Sequence, residues 1–413
     1  MNPYPLAPTL GTIPDDKIPG RVNEITNLLR LLRSQSVSVE EMRRMGKTLM
    51  LKKMAYLCNA DQLPAEFANE KFRAKYLSFQ GIKDMGEVIK VIIDELESFK
   101  AWYKIDFGKT YNLVRSVINA PDLKVAGTSL SFNLPEYKKS WKEIFYKTLE
   151  DIADSQNDDG TILVLIFDEL PIMLWDWYKN GKQQEAIELL DILRERRQKL
   201  ETKGIRFVYC GSIGIKVVLD RFKTEFQYTG EPTNEMAEFD LKPFKKDESD
   251  FLCECFLMNN FKIEDERKAE SLERIYQLSN GLPFQISKLF NILQTEFDYQ
   301  VDIRNIEESY NIILNNSDYH KAFMQLIDRL DIYYPKDKSE VMKKLLNEIS
   351  KSDVGLSEEE IHQRTDIDEL TSAKEGLYTL FADHYLSRTT QDGNRVYKFK
   401  YQIFKEWWKI NIA

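Results

Sequence analysis

One stretch limits the fold more than any other. GTILVLIF, residues 160–167, is a continuous apolar run that ends directly in Asp168 and Glu169. A strand with one wet face alternates apolar and polar residues. A continuous run marks a strand covered on both faces, as inside a parallel sheet. IRFVYC, residues 205–210, reads the same way, and shorter strands are expected at 36–40 and 74–79. Helical patterns at 22–33, 47–58, 85–99 and 182–202 lie between them. Strands separated by helices need right-handed crossovers, so the expected class is α/β with a parallel sheet.

The turn after the first strand carries chemistry. In EEMRRMGKTLML, Gly46, Lys47 and Thr48 match the end of the phosphate-binding pattern G-x-x-x-x-G-K-[ST], but Glu41 stands where its first glycine belongs. Such a loop wraps phosphate with backbone N–H groups at a helix N-terminus. Gly46 lets the backbone approach, Lys47 brings a mobile charge to the β- and γ-phosphates, and Thr48 offers a hydroxyl to Mg²⁺. The loop residues Arg43, Arg44 and Met45 belong to the same expected site. The first glycine supplies none of this chemistry, but a carboxylate 4 Å from a phosphate costs about 4 kcal/mol at an effective dielectric of ~20. Glu41 must therefore point away, or pair with Arg43 or Arg44.

Asp168 and Glu169 end a buried strand, and ligands of doubly wound sheets bind beyond that edge. Asp168 there suits Mg²⁺, held through water, and Glu169 suits the polarising of an attacking water. The plainer reading is a pair of carboxylates capping the next helix. Ser212, after the strand VYCG, is placed either to hydrogen-bond a γ-phosphate or simply to make a turn.

The remaining chain divides in three. Residues 1–240 form the α/β core, with an insertion at about 100–150 that carries a hairpin and a helix. Residues 241–325 form a helical lid broken by NGLP at 280–283. Residues 326–413 show helices at 340–350, 357–364 and 368–382 and a ribbon turning at QDGN, the winged-helix order. The formal net charge of −9 gives no basic footprint for nucleic acid or an anionic membrane. No apolar run approaches the ~18 residues that span a bilayer, and the first residues lack a signal-peptide pattern. A cytoplasmic protein without a membrane partner is expected. The four cysteines and three histidines fall in no metal-ligand spacing.

In this order, Gly20-Arg21, RRMGKT, FDELP, the GS-ended strand, G-L-P and the aromatic end FKYQIFKEWW resemble the archaeal-type ATPases of the STAND branch of P-loop proteins. These are relatives of AAA+ proteins and of origin-recognition initiators, and the resemblance covers nearly the whole chain. It implies a parallel-sheet P-loop NTPase core with helical lid and C-terminal winged helix, with ATP and Mg²⁺ as cofactors. It places Gly20 and Arg21 on the adenine side and Pro283 against the base. It lets Arg194 reach a phosphate of the same or a neighbouring subunit, although in the run RERRQK this residue also reads as a solvated charge. The implied function is an ATP-binding switch with slow hydrolysis that acts through a protein partner or a homo-oligomer, in signalling or defence. Two alternatives stand beside it: a DNA-acting ATPase and a nucleotide-binding scaffold without turnover. DNA is the less favoured partner, because Asp366, Asp368, Glu369 and Glu375 crowd the third helix of the winged-helix segment. Arg388, Arg395, Lys398 and Lys400 on its ribbon weigh the other way.

Overall fold

The computed structural model describes residues 2–8, 13–92, 95, 146, 149–150 and 160–413. The hairpin expected within 100–150 lies outside the described residues, and of the helix only Tyr146, Leu149 and Glu150 are described, each helical. Five parallel strands, β1 (Val37–Glu40), β2 (Phe72–Ser78), β3 (Ile162–Asp168), β4 (Ile205–Cys210) and β5 (Ala237–Asp240), form one sheet in the order β2-β3-β4-β1-β5. Helices α1 (Val22–Leu32), α2 (Lys47–Asn59), α3 (Leu170–Lys179), α4 (Gln183–Leu200) and α5 (Ile215–Phe226) cover it.

The apolar run behaves as its composition requires. Val164 and Ile166 of β3 enter one core with Ile25, Leu28, Met50 and Met54 of α1 and α2. Leu163, Leu165 and Phe167 face the other way, into a core with Trp177, Leu190 and Phe222 of α3 to α5. Burying each such side chain stabilises the sheet by roughly 1.5–3 kcal/mol. Neither face is available to water, so the polar residues collect at the strand ends. β4 lies between β1 and β3. Ser212, just beyond β4, therefore sits between the Gly46 turn and the Asp168-Glu169 pair.

β5, α3 and α5 go beyond the sequence expectation. β5 is a four-residue edge strand with Phe239 alone fully buried. α3 buries six of its ten residues, Leu170, Pro171, Met173, Leu174, Trp175 and Trp177, so it has no polar face to reveal a helical period.

The second half adds α6 (Lys246–Leu257), α7 (Lys268–Ser279), α8 (Pro283–Glu296) and α9 (Ile303–Asn315). Next come α10 (Lys321–Tyr333), α11 (Lys336–Ser350), β6 (Leu356–Ser357), α12 (Glu358–Arg364) and α13 (Leu370–Ala382). The chain closes with β7 (Leu386–Gln391), β8 (Asn394–Phe399) and α14 (Gln402–Asn411). The expected ribbon is β7-β8, and β6 adds a third antiparallel strand in the order β6-β8-β7. Asp392 (φ 49°) and Gly393 (φ 82°) make the two-residue turn that QDGN predicts. Ser357 and Glu360 form a reciprocal capping box at the start of α12. One apolar core runs from Met54 of α2 through Ile286 and Phe290 of α8 to Leu345 of α11 and Trp408 of α14. The C-terminal segment is thereby packed onto the machinery at the sheet edge.

Candidate functional site

Gly46 (φ 84°) is the N-cap of α2, and Arg44 (φ 73°) shares its left-handed backbone. The turn leaves the first N–H groups of α2 facing a cavity of about 350 Å³ lined by Arg43, Arg44, Lys47, Thr48, Asp168 and Glu169. Met45, Gly46 and Ser212 also line it. The Thr48 hydroxyl donates to Asp168 Oδ2 at 2.8 Å, and the Tyr76 hydroxyl donates to the same oxygen at 2.5 Å. Burial and the Asp168 charge push the Tyr76 phenol well above its usual range, so it remains a donor. Glu169 (φ 59°) is the N-cap of α3, and its Oε2 accepts from both the backbone N–H and the hydroxyl of Ser212, each at 2.9 Å. The expected residues Lys47, Thr48, Asp168, Glu169 and Ser212 thus meet on one wall.

Lys47 is turned into its own loop. Its Nζ donates to the carbonyls of Glu41, at 2.5 Å, and Met42, at 2.9 Å. Burial pushes its ammonium below the usual lysine range, and the Arg329 charge adds to the depression. An anion that reached Lys47 would have to displace both carbonyls from it.

A second, apolar cavity of about 200 Å³ adjoins the first and shares Arg44, Gly46 and Leu49 with it. Ile18, Pro19, Arg21, Phe244, Phe256 and Pro283 are among its lining residues. Its size and apolar walls suit a flat heterocycle. Arg21 and Pro283, both expected beside the base, line this cavity. Gly20 does not line the cavity but supports it from behind. It holds φ 64°, and a Cβ there would stand 3.0 Å from the Phe244 ring. Arg21 (φ 68°) is a strut rather than a free cation. It donates to the carbonyls of Met45 at 2.6 Å and Lys242 at 2.5 Å, and stacks on Phe244 at 4.4 Å. Lys53 Nζ donates to the carbonyls of Ile18 and Gly20, and Glu248 of α6 accepts from the Arg21 N–H at 2.6 Å. Sequence reasoning missed Lys53, Phe244 and Glu248, which belong to no motif. Gly281 (φ 67°) fixes the start of α8, because a Cβ there would stand 2.3 Å from the Phe244 carbonyl oxygen. Arg44 rests over the Phe284 ring at 4.7 Å, beside Pro283.

Glu41 points away from the phosphate cavity, one of the two outcomes expected. Its partner is neither Arg43 nor Arg44. Its side chain is wholly buried, with Oε1 accepting from the Met42 N–H at 3.0 Å and Oε2 accepting from Lys400 Nζ at 2.6 Å. Lys400 also donates to His384 Nδ1 at 3.0 Å. Burial, with the Lys400 charge, keeps His384 below the usual imidazole range and therefore neutral. Breaking a buried pair from one side strands a charge, so Lys400→Met should destabilise the chain by about 3 kcal/mol. Glu41→Gln with Lys400→Met should recover most of that loss in thermal melting. Additive single and double effects would contradict the pairing.

Arg194 is not among the residues lining either cavity. It lies on the far part of α4, near Tyr228 and Glu231, so within this chain it does not reach the phosphate wall. Nor is it a freely solvated charge: Arg194 is half-buried, and Arg196 and Arg197 of the same run are buried. Among the described residues no cluster of three or more His, Cys, Asp or Glu side chains forms a metal cage. The Thr48 and Asp168 oxygens nonetheless fit Mg²⁺, which is held through one or two protein oxygens together with water and phosphate.

No protein-family model and no curated protein matches this sequence. Solved structures do match its fold. A Walker-type ATPase of Pyrococcus abyssi aligns over 95% of this chain and 96% of its own, with a TM-score of 0.58 and 17% identity. The ORC2 protein of Aeropyrum pernix, solved as ADPNP-ADP complexes, aligns over 98% and 96%, with a TM-score of 0.51 and 12% identity. The chain therefore has the P-loop NTPase fold, which it shares with these two structures over nearly its whole length.

Proposed function

We propose that this protein binds ATP with Mg²⁺, hydrolyses it slowly, and uses the bound state to set the position of its C-terminal segment. One observation carries the reading: an apolar cavity at Pro283 and Phe244 opens into a cavity walled by Lys47, Thr48, Asp168 and Glu169. The base takes the first and the phosphates take the second. Lys47 and the first N–H groups of α2 hold the β- and γ-phosphates. Thr48 and Asp168 hold Mg²⁺, which neutralises the phosphate charge. Glu169 orients water for attack on the γ-phosphate once Ser212 releases its carboxylate. The two hydrogen bonds from Ser212 hold that carboxylate back, and this makes turnover slow. Calorimetric titration with ATP and Mg²⁺ tests the reading: saturation at one site per chain is expected, and a heat-silent titration overturns it.

The switch reading rests on Glu41. The residue that replaces the first loop glycine ties the phosphate loop to Lys400, so a change in the loop is transmitted to the β7-β8 ribbon. We divide the chain into a core to 240, a lid at 241–320 and a winged-helix segment from 321. The last boundary moves from 325, because α10 runs unbroken from Lys321 to Tyr333. A protein partner or a second copy of this chain receives the output, in the manner of a STAND switch in signalling or defence.

The DNA-acting reading is weaker. Lys400 is spent on Glu41, Arg388 stacks on Phe381 at 4.3 Å, and Arg395 lies 3.6 Å from Glu358. Tyr378, Thr379 and Ala382 of α13 line a cleft shared with α5 and Glu238. No helix among the described residues is long and apolar enough to cross a membrane.

A further inference from the structure

α10 brings two side chains to the site that no motif marks. Gln325 lines the phosphate cavity together with Asp168, Glu169 and Ser212, and is absent from the apolar cavity. It therefore stands at the end of the site remote from the base. Arg329 follows one helical turn later on the same face. Its guanidinium is buried, with the residue 6% exposed, yet Nε and Nη1 have no hydrogen-bond partner. Its ion pair, from Nη2 to Asp383, is long at 3.8 Å. A buried polar group without a partner is costly, and native interiors rarely leave one so.

Arg329 stands between two sets of neighbours, a cleft that also holds Glu41, Asp220 and Asp383 and the cations of the loop before α2. Arg329 lines a small cavity with Arg43, Arg44 and Gln325, three residues that also wall the phosphate cavity. Its charge is felt at Lys47. Four cations, Arg43, Arg44, Lys47 and Arg329, thus converge behind and beside the phosphate loop, with Asp383 as the single carboxylate paired to Arg329 within 4 Å. Such a cluster is stabilised when an anion with several charges arrives.

We infer that Gln325 and Arg329 are specificity-determining residues that read the terminal phosphate and so separate a nucleoside triphosphate from a diphosphate. The inference rests on the nucleotide reading of the cavity. The β-phosphate is held by the loop whichever nucleotide is bound. The terminal phosphate alone extends to the Gln325 end, where the Arg329 donors replace their long contact with Asp383 by charge-assisted hydrogen bonds. α10 begins the C-terminal segment, so this contact tells that segment which nucleotide is bound.

The experiment compares ATP and ADP affinities, each with Mg²⁺, for the full chain and for Arg329→Met, Gln325→Ala and Asp383→Asn. Arg329→Met should keep ADP affinity and weaken ATP by about tenfold or more, the worth of one hydrogen bond to a charged group. Gln325→Ala should shift the ATP/ADP ratio the same way by a smaller factor. Asp383→Asn frees Arg329 and should raise the ratio. Retained ADP affinity shows that the variant is folded. If Arg329→Met does not fold, the other two variants decide. Equal loss of ATP and ADP in these variants, or an unchanged ratio, overturns the inference while leaving the site reading intact. If the unaltered chain binds neither nucleotide, it is the site reading that fails.

Discussion

Lys47→Ala abolishes ATP binding: by calorimetry the affinity falls by more than about a hundredfold. The variant removes the ammonium that faces the β- and γ-phosphates, and each hydrogen bond to a charged group contributes roughly 1.5–3 kcal/mol. Because the side chain is buried, no solvent charge substitutes for it. Wild-type affinity in this variant would place the nucleotide elsewhere.

Glu169→Gln is expected to bind ATP as the unaltered chain does and to lose turnover by about 10²–10⁴-fold, the usual contribution of a positioned general base. The substitution keeps an oxygen that accepts from the Ser212 N–H and hydroxyl, so the wall between β3 and β4 survives. It removes the carboxylate that polarises water. Phosphate release with ATP in excess is the measurement. Unchanged release would assign the base to another residue, and equal losses in affinity and turnover would make Glu169 a structural strut.

The sheet and the grouping of Lys47, Thr48, Asp168, Glu169 and Ser212 were legible because each leaves a local mark. A strand buried on both faces must be apolar throughout, as 162–167 is, and the phosphate turn needs glycine, lysine and a hydroxyl in order. Asp168, Glu169 and Ser212 followed once those strands were placed at one sheet edge. What escaped has no local mark. Arg21 reads as a surface cation beside a glycine, and only the approach of Met45, Lys242 and Phe244 makes it a strut. Glu41 pairs with a residue 359 positions away, whereas sequence offers only its neighbours Arg43 and Arg44 as partners. α3 hides its period because most of its surface is buried, and the four residues of β5 are too few to show one. The contact of the C-terminal segment with the loop is a product of packing, from Met54 through Phe290 to Trp408, that no single stretch encodes.

The central claim is that the phosphate loop and the C-terminal segment respond together to the nucleotide. Entry of the nucleotide's phosphates draws Lys47 off the Glu41 and Met42 carbonyls and loosens the turn that holds Lys400. Hydrogen exchange over residues 384–401, compared between the free chain and the chain saturated with ATP and Mg²⁺, measures this directly in a chain carrying Glu169→Gln to prevent turnover. The account predicts faster exchange there with ATP bound than without it. Identical exchange in both, in a chain shown by calorimetry to bind ATP, would contradict it.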